Sequence, residues 1–262
     1  MKFYLSLMIF SLLLVIFIIL TPFQTAVDQR LNVLGAQTKL LTDDSAFKII
    51  LFGDSMTSFL GPSGDEILSN LKTYYPNSKI VIQNYGFGSK NILFAKEVLE
   101  KQTDYLGVKY PPLLQTNLDL LIIESFANNP LSEYPLEEGL KIQNRALDEI
   151  ISKVHEVKPD IKIVFLATIA PSKTHFGEGS VELTPQKREE WVSERITYLK
   201  NHIEYANSHN IPLINVYEKS LKDGDGNKDF LNPGDNIHPS IEGIKFISAE
   251  VADFLHSNNL IN

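Results

Sequence analysis

"KIILFGDSMTS" at residues 48–58 is the stretch on which the fold turns. An apolar, β-branched run stops at Gly53 and is followed at once by Asp54, Ser55, Met56 and Thr57. A run without polar alternation suits a strand whose sheet is covered on both faces, as parallel sheets are. Four more runs of this kind, at 79–83, 118–124, 162–168 and 211–216, join the first at 47–52. Stretches of helical period separate them at 65–75, 90–102, 135–157 and 185–209, with a last one at 240–256. Five βα units in succession predict an α/β fold with a doubly wound, five-stranded parallel sheet, a three-layer α/β/α sandwich. Such sheets bind ligands beyond the carboxyl ends of their strands, near the point where strand order reverses. Residues 53–58 lie at one such end, and the turn-rich insertions 171–186 and 222–235 lie at two others, where they would wall a cleft.

The chain has 262 residues, 44% hydrophobic and 21% charged, which suits one globular domain, predicted over 46–262. A net charge of -8 leaves no basic face for a phosphate backbone, so nucleic acid is not expected as a partner. Zero cysteines exclude disulfides, thiolate zinc sites and a cysteine nucleophile. Ahead of the domain, residues 3–20 carry no charge and are long enough, at 1.5 Å per residue, to cross roughly 27 Å of hydrocarbon. Residues 1–22 are therefore expected to be a membrane anchor or signal segment, and 23–45 a linker. The length of the run and the lack of a small-x-small pair close behind it favour an uncleaved anchor. The expected location is the cell membrane, single-pass with the domain extracytoplasmic, or secreted if the segment is cut.

A serine is a weak nucleophile by itself, so Ser55 needs a base within hydrogen-bond reach and an acid to orient that base. Of six histidines, one has an acid and a rigid turn beside it, in "PGDNIHPSIEG" at 233–243. Pro239 disfavours helical geometry at His238, and Ser240 is suited to cap the helix that follows, so the imidazole is expected on a loop at a helix entrance. Asp235, three residues earlier, is placed to accept the Nδ1 proton and leave Nε2 for Ser55. An oxyanion hole then needs donors where negative charge develops. The Ser55 amide is one, "QNYGFGSKN" (83–91) offers backbone amides at Gly86 or Gly88, and "ESFANNP" (124–130) offers the carboxamide of Asn128 or Asn129.

"GDSMTS", the glycine of "NYGFGS", the asparagine of "SFANNP" and "DNIHP" stand in the order of the four blocks of the SGNH, or GDSL-type, hydrolase family, which this chain resembles over about 46–256. The resemblance implies a flavodoxin-like sandwich and ester hydrolysis with no metal and no organic cofactor. Carried over by position, it implies Ser55 as nucleophile, Asp235 and His238 as acid and base, and the Ser55 amide, Gly88 and Asn129 as oxyanion donors. Two departures stand out: Met56 replaces the usual leucine, and Ala127-Asn128-Asn129-Pro130 replaces Gly-x-Asn-Asp. The function expected is an extracytoplasmic serine esterase acting on an acylated small molecule or carbohydrate, with deacetylation of envelope carbohydrate as the case suggested by location. The alternatives are a carbohydrate O-acyltransferase that passes the acyl group to a sugar hydroxyl, and a non-catalytic ligand-binding domain using the same cleft.

Other motifs read as structure. "DGDGNKD" (223–229) opens like a calcium loop, but Lys228 stands where glycine is required and Gly234 where the bidentate glutamate belongs. His202 and His209 sit seven apart with no third ligand, so no metal is expected there. His175 reads as a solvated loop residue, and "KREEWVSER" (187–195) as a charged helix face with Trp191 packing.

Overall fold

A computed structural model describes residues 45–261. The expected anchor and nearly all of the expected linker lie outside the described residues. Among the described residues, no helix is long and apolar enough to cross a membrane.

The chain runs β1 (Phe47–Gly53), α1 (Ser55–Ser58), α2 (Asp65–Tyr74), β2 (Ile80–Gly86), α3 (Ala95–Glu100), β3 (Leu120–Glu124), α4 (Leu136–Val157), β4 (Lys162–Ala167), α5 (Pro185–Ser208), β5 (Leu213–Asn215), α6 (Val216–Lys219) and α7 (Ile241–Ser257). Two small antiparallel ribbons, Thr103–Tyr105 with Val108–Tyr110 and Leu221–Lys222 with Asp225–Gly226, interrupt it. The five main strands pair in parallel in the order β2-β1-β3-β4-β5. That is the flavodoxin-like order, which reverses direction between β1 and β3.

Alternation within each strand divides the core. Ile50, Phe52, Leu121, Ile123 and Phe165 meet α3, α4 and α5 on one face of the sheet. Ile49, Leu51, Ile122 and Val164 meet α2 and α7 on the other. Both faces are dry, which is why the strands read as unbroken apolar runs rather than alternating ones.

The differences from the sequence reading are local. β2 continues to Gly86 because Asn84 and Tyr85 pair with Leu51 and Phe52. Asn84 sits in a buried position because its amide nitrogen donates to the carbonyls of Thr57 and Gly61, at 2.7 and 2.8 Å. The helix expected over 90–102 shortens to a 3-10 turn at Ile92–Phe94 and α3. The ribbon that follows turns through Leu106 and Gly107, both left-handed, a hairpin that hydropathy alone does not mark.

Candidate active site

The carboxyl end of β1 abuts the switch point. A Cβ on Gly53 would stand 2.1 Å from Thr57 Oγ1 and 2.7 Å from Glu124 Cβ, so the strand turns into α1 without room for a side chain. Asp54 is fully buried and caps α1, one carboxylate oxygen accepting from the Met56 N–H at 2.8 Å. Ser55 follows, half-buried, and as the first helical residue its N–H has no acceptor within the helix. Asp54 thus caps the same turn that presents Ser55.

The two glycines after β2 do different work. A Cβ on Gly86 would stand 2.3 Å from the Ser58 nitrogen, so Gly86 is the surface on which α1 rests. A Cβ on Gly88 would stand 3.6 Å from Ser55 Cβ, so Gly88 is the one brought up to the serine. The Tyr105 hydroxyl, from the unexpected ribbon, donates to the Gly88 carbonyl at 3.0 Å. Tyr105 thus lies beside the glycine that approaches Ser55, and no local sequence signal marks the hairpin that places it there.

After β3 the chain passes through Phe126, whose φ is +54° and whose ring packs edge-on against Phe52. The left-handed residue thus falls one position before Ala127, which stands in the glycine's place in the third block. Asn129 donates a carboxamide N–H to Asp54 Oδ2 at 3.0 Å, which leaves its second amide hydrogen free. Asn128 is half-exposed and makes no side-chain hydrogen bond among the described residues.

Beneath this turn lie two buried carboxyl groups in contact. Glu124 Oε2 accepts the N–H of Asp54 at 3.3 Å and of Phe126 at 3.1 Å, and Oε1 accepts the Ser125 hydroxyl. Burial, and then the charge of Asp54, push the Glu124 carboxyl well above the usual carboxylate range. Burial raises Asp54 too, but the Met56 N–H, the Asn129 carboxamide and His238 favour its charged form. Burial and the charge of Asp54 thus favour the neutral form of Glu124. An acid ending an apolar strand is the one sequence signal that Glu124 carries.

His238 and Asp235 arrive on the loop between the ribbon strand Asp225–Gly226 and α7. Asp235 Oδ1 accepts the backbone N–H groups of Ile237 and His238, at 2.9 and 3.1 Å, which closes the turn. Its Oδ2 stands 2.7 Å from His238 Nδ1, so a neutral imidazole carries its proton on Nδ1 and leaves Nε2 as the base. Burial alone would raise the Asp235 carboxyl, but the His238 ring and the two backbone donors hold it below the usual range. Ser240 caps α7 by accepting from Gly243 N–H at 3.0 Å. The imidazole lies flat against Phe59, four residues after Ser55, so it stands over the Ser55 side of α1.

The 171–186 insertion packs against this loop. The Asn236 carboxamide donates to the Glu178 carbonyl at 3.0 Å, and a Cβ on Gly179 would stand 2.5 Å from the Gly234 carbonyl oxygen. His175 pairs with Glu178, at 2.8 Å from Nδ1 to Oε2. Asp225, in the stretch that opens like a calcium loop, accepts from Ser172, Lys173 and Thr174, so its carboxylate is occupied by protein donors. His202 is buried against Phe165, ring centroids 4.3 Å apart, and burial pushes its pKa down to about 3. No group of His, Cys, Asp and Glu suited to a metal ion is present among the described residues.

The GDSL-like lipase/acylhydrolase family model matches residues 51–245, most of the chain. No curated protein sequence matches it. Among solved structures, a lipase/acylhydrolase from Enterococcus faecalis is similar in fold, with TM-score 0.55 and 18% identity, covering 81% of this chain and 96% of that one. An acetylxylan esterase from Geobacillus stearothermophilus gives TM-score 0.54 and 17% identity over 80% and 94% of the two chains. The acetyl xylan esterase AlAXEase gives 0.55 and 16% over 79% and 98%.

Proposed function

The chain belongs to the GDSL-like lipase/acylhydrolase family of ester-bond hydrolases, and from that premise we propose a serine esterase that works through Ser55, His238 and Asp235 on an acetylated carbohydrate. His238 Nε2 takes the proton of Ser55 Oγ as that oxygen attacks the acyl carbonyl carbon. The tetrahedral oxyanion is held by the N–H groups of Ser55 and Gly88 and by the free amide hydrogen of Asn129. Collapse breaks the ester bond, and His238 gives its proton to the departing alcohol. Water then repeats the sequence on the acyl-serine and releases the acid. Asp235 keeps the imidazole oriented and stabilises its charged form.

The observation that carries this reading is the 2.7 Å contact between Asp235 and His238 Nδ1 on an imidazole stacked over the nucleophile turn. Two of the similar folds are acetylxylan esterases, which supports a short acyl group on a sugar. The uncharged run at 3–20 supports an extracytoplasmic site of action, with the domain tethered to the cell membrane.

The test is fluorophosphonate labelling followed by peptide mapping, together with release of acetate from p-nitrophenyl acetate and acetylated xylo-oligosaccharides. A label on Ser55 with acetate release is expected. Folded protein that takes no label would leave the binding-domain reading standing, and labelling with transfer to a glycan in place of hydrolysis would make it an acyltransferase.

A further inference from the structure

Arg195 on α5 is a cation that the ester chemistry does not use. Its guanidinium lies over the rings of Phe176, at 4.9 Å, and Trp191, at 5.3 Å. Nη1 donates to the Trp191 carbonyl at 3.0 Å, while Nε is buried and without a hydrogen-bond partner among the described residues. The nearby carboxylates are otherwise engaged: Glu190 pairs with Lys187 at 3.0 Å, and Glu194 accepts the Ser132 hydroxyl at 2.9 Å. Burial weakens the hold of Arg195 on its proton, and the charges of Glu194 and then Asp54 oppose this, so Asp54 is near enough to act on it. A largely buried guanidinium without an ion-pair partner is costly unless an anion completes it.

Its position gives that anion a source. His202 stacks on Phe165 in the middle of β4, and Arg195 is seven residues earlier on α5, about two turns or 10 Å nearer the end of the helix that joins the active-site rim. Arg195, Trp191 and Lys187 line a cleft of ≈ 690 Å³ together with Ser132 and Leu136, a segment that begins three residues beyond Asn129. The cleft thus adjoins the segment that carries the carboxamide donor.

We propose that Arg195 is the anion-recognising residue of a substrate subsite, and that this cleft receives a carboxylate or phosphodiester group of the acylated molecule whose ester carbonyl meets Ser55. The inference rests on the esterase reading above and narrows its substrate to anionic glycans or polyol phosphates. A guanidinium offers two parallel N–H groups to an oxyanion, and the two aromatic rings hold its plane fixed before the ligand arrives. Glu190 and Glu194 beside it favour a single negative charge over two.

Trp191 is the single tryptophan of the chain, so its fluorescence reports on the cleft directly. Titration with oligogalacturonate, with glycerol phosphodiester oligomers and with neutral xylo-oligosaccharides is expected to give a saturable signal at least tenfold tighter for one anionic ligand than for the neutral one. The matching acetylated substrates should show the same preference in kcat/KM, expressed in KM and reduced by 0.5 M NaCl. Arg195→Gln should shrink the anionic-to-neutral ratio toward one, and Arg195→Lys, which keeps the charge, should retain part of it. Equal affinity of the unmutated protein for all three ligands, or a ratio unmoved in Arg195→Gln, overturns the subsite. Anion binding without any ester hydrolysis would leave the subsite standing and overturn the esterase reading instead.

Discussion

The imidazole of His238 lies on the ring of Phe59 with centroids 4.1 Å apart and planes 2° apart. Phe59 is fixed to the nucleophile, since its N–H donates to the Ser55 carbonyl at 3.0 Å. Phe59 and Ser55 therefore belong to one turn, and the His238 ring is registered to it by stacking. Such a ring pair contributes about 0.5–1.5 kcal/mol. Phe59→Ala is expected to lower kcat for p-nitrophenyl acetate by about twofold to tenfold, while Phe59→Tyr stays close to the parent enzyme. Equal activity in all three proteins would remove the platform role.

Triad members act as a unit, so their losses do not add. Ser55→Ala and His238→Ala should each lower kcat on the order of 10³-fold or more, and the double variant should be no worse than the poorer single. Losses that multiply would mean that the two side chains serve separate steps.

The strands and the Asp235–His238 pair are legible in the sequence because their signals are local. Unbroken apolar runs mark strands covered on both faces, and "DNIHPS" at 235–240 holds Asp235, His238 and the helix cap Ser240 within six residues. Glu124, Phe59 and Tyr105 were not legible for the opposite reason. The importance of Glu124 depends on Asp54 lying across a strand pair, 70 residues away in sequence. Phe59 reads as an ordinary apolar residue until His238 covers it, and Tyr105 depends on a hairpin built on two left-handed residues. Arg195 reads as part of a charged helix face, and only packing shows that it makes no ion pair among the described residues.

The Glu124 carboxyl is raised by burial and by Asp54, and this fixes the sign of a pH effect. A raised folded-state pKa contributes stability that is fully present below the unfolded value of about 4.3 and is lost as pH rises through the folded value. Glu124→Gln keeps a neutral donor toward Asp54 and removes the titration. The melting temperature of the parent protein relative to Glu124→Gln should therefore decline from pH 5 to pH 9. Glu124→Ala should lose on the order of tenfold in kcat/KM, because Asp54 and its Asn129 contact lose their support. A flat or rising temperature difference would show that the folded protein does not favour the neutral form of Glu124.

Asp235 gives the opposite sign. Its folded-state pKa is held down by His238 and two backbone donors against the effect of burial. The stability it contributes is present above the unfolded value of about 3.9 and is lost as pH falls through the lowered folded value. Asp235→Asn should melt earlier than the parent at pH 7, with the gap closing as pH falls toward 3. Its kcat should drop on the order of 10³-fold or more, since an amide at that position does not enforce the Nδ1–H tautomer. A gap that widens toward acid would contradict the assignment.

Gly86 and Gly88 are two residues apart, and the same substitution is expected to fail differently at each. A Cβ on Gly86 would press on the Ser58 nitrogen at 2.3 Å and its Cα at 2.7 Å, both backbone atoms that move only if α1 moves. Gly86→Ala should cost about 1–3 kcal/mol of stability, read as a lower melting temperature, and should lower activity as a consequence. A Cβ on Gly88 would meet the Tyr105 hydroxyl at 3.0 Å, the far end of a movable side chain, and Ser55 Cβ at 3.6 Å, an ordinary contact. Gly88→Ala should therefore melt within about a degree or two of the parent, yet lose on the order of tenfold in kcat/KM, because the new methyl group crowds the space in which the acyl oxygen must sit. Thermal melts and acetate-release kinetics on the two purified variants separate the cases. A Gly88→Ala protein with full activity would remove that segment from the oxyanion hole, whatever happens at Gly86.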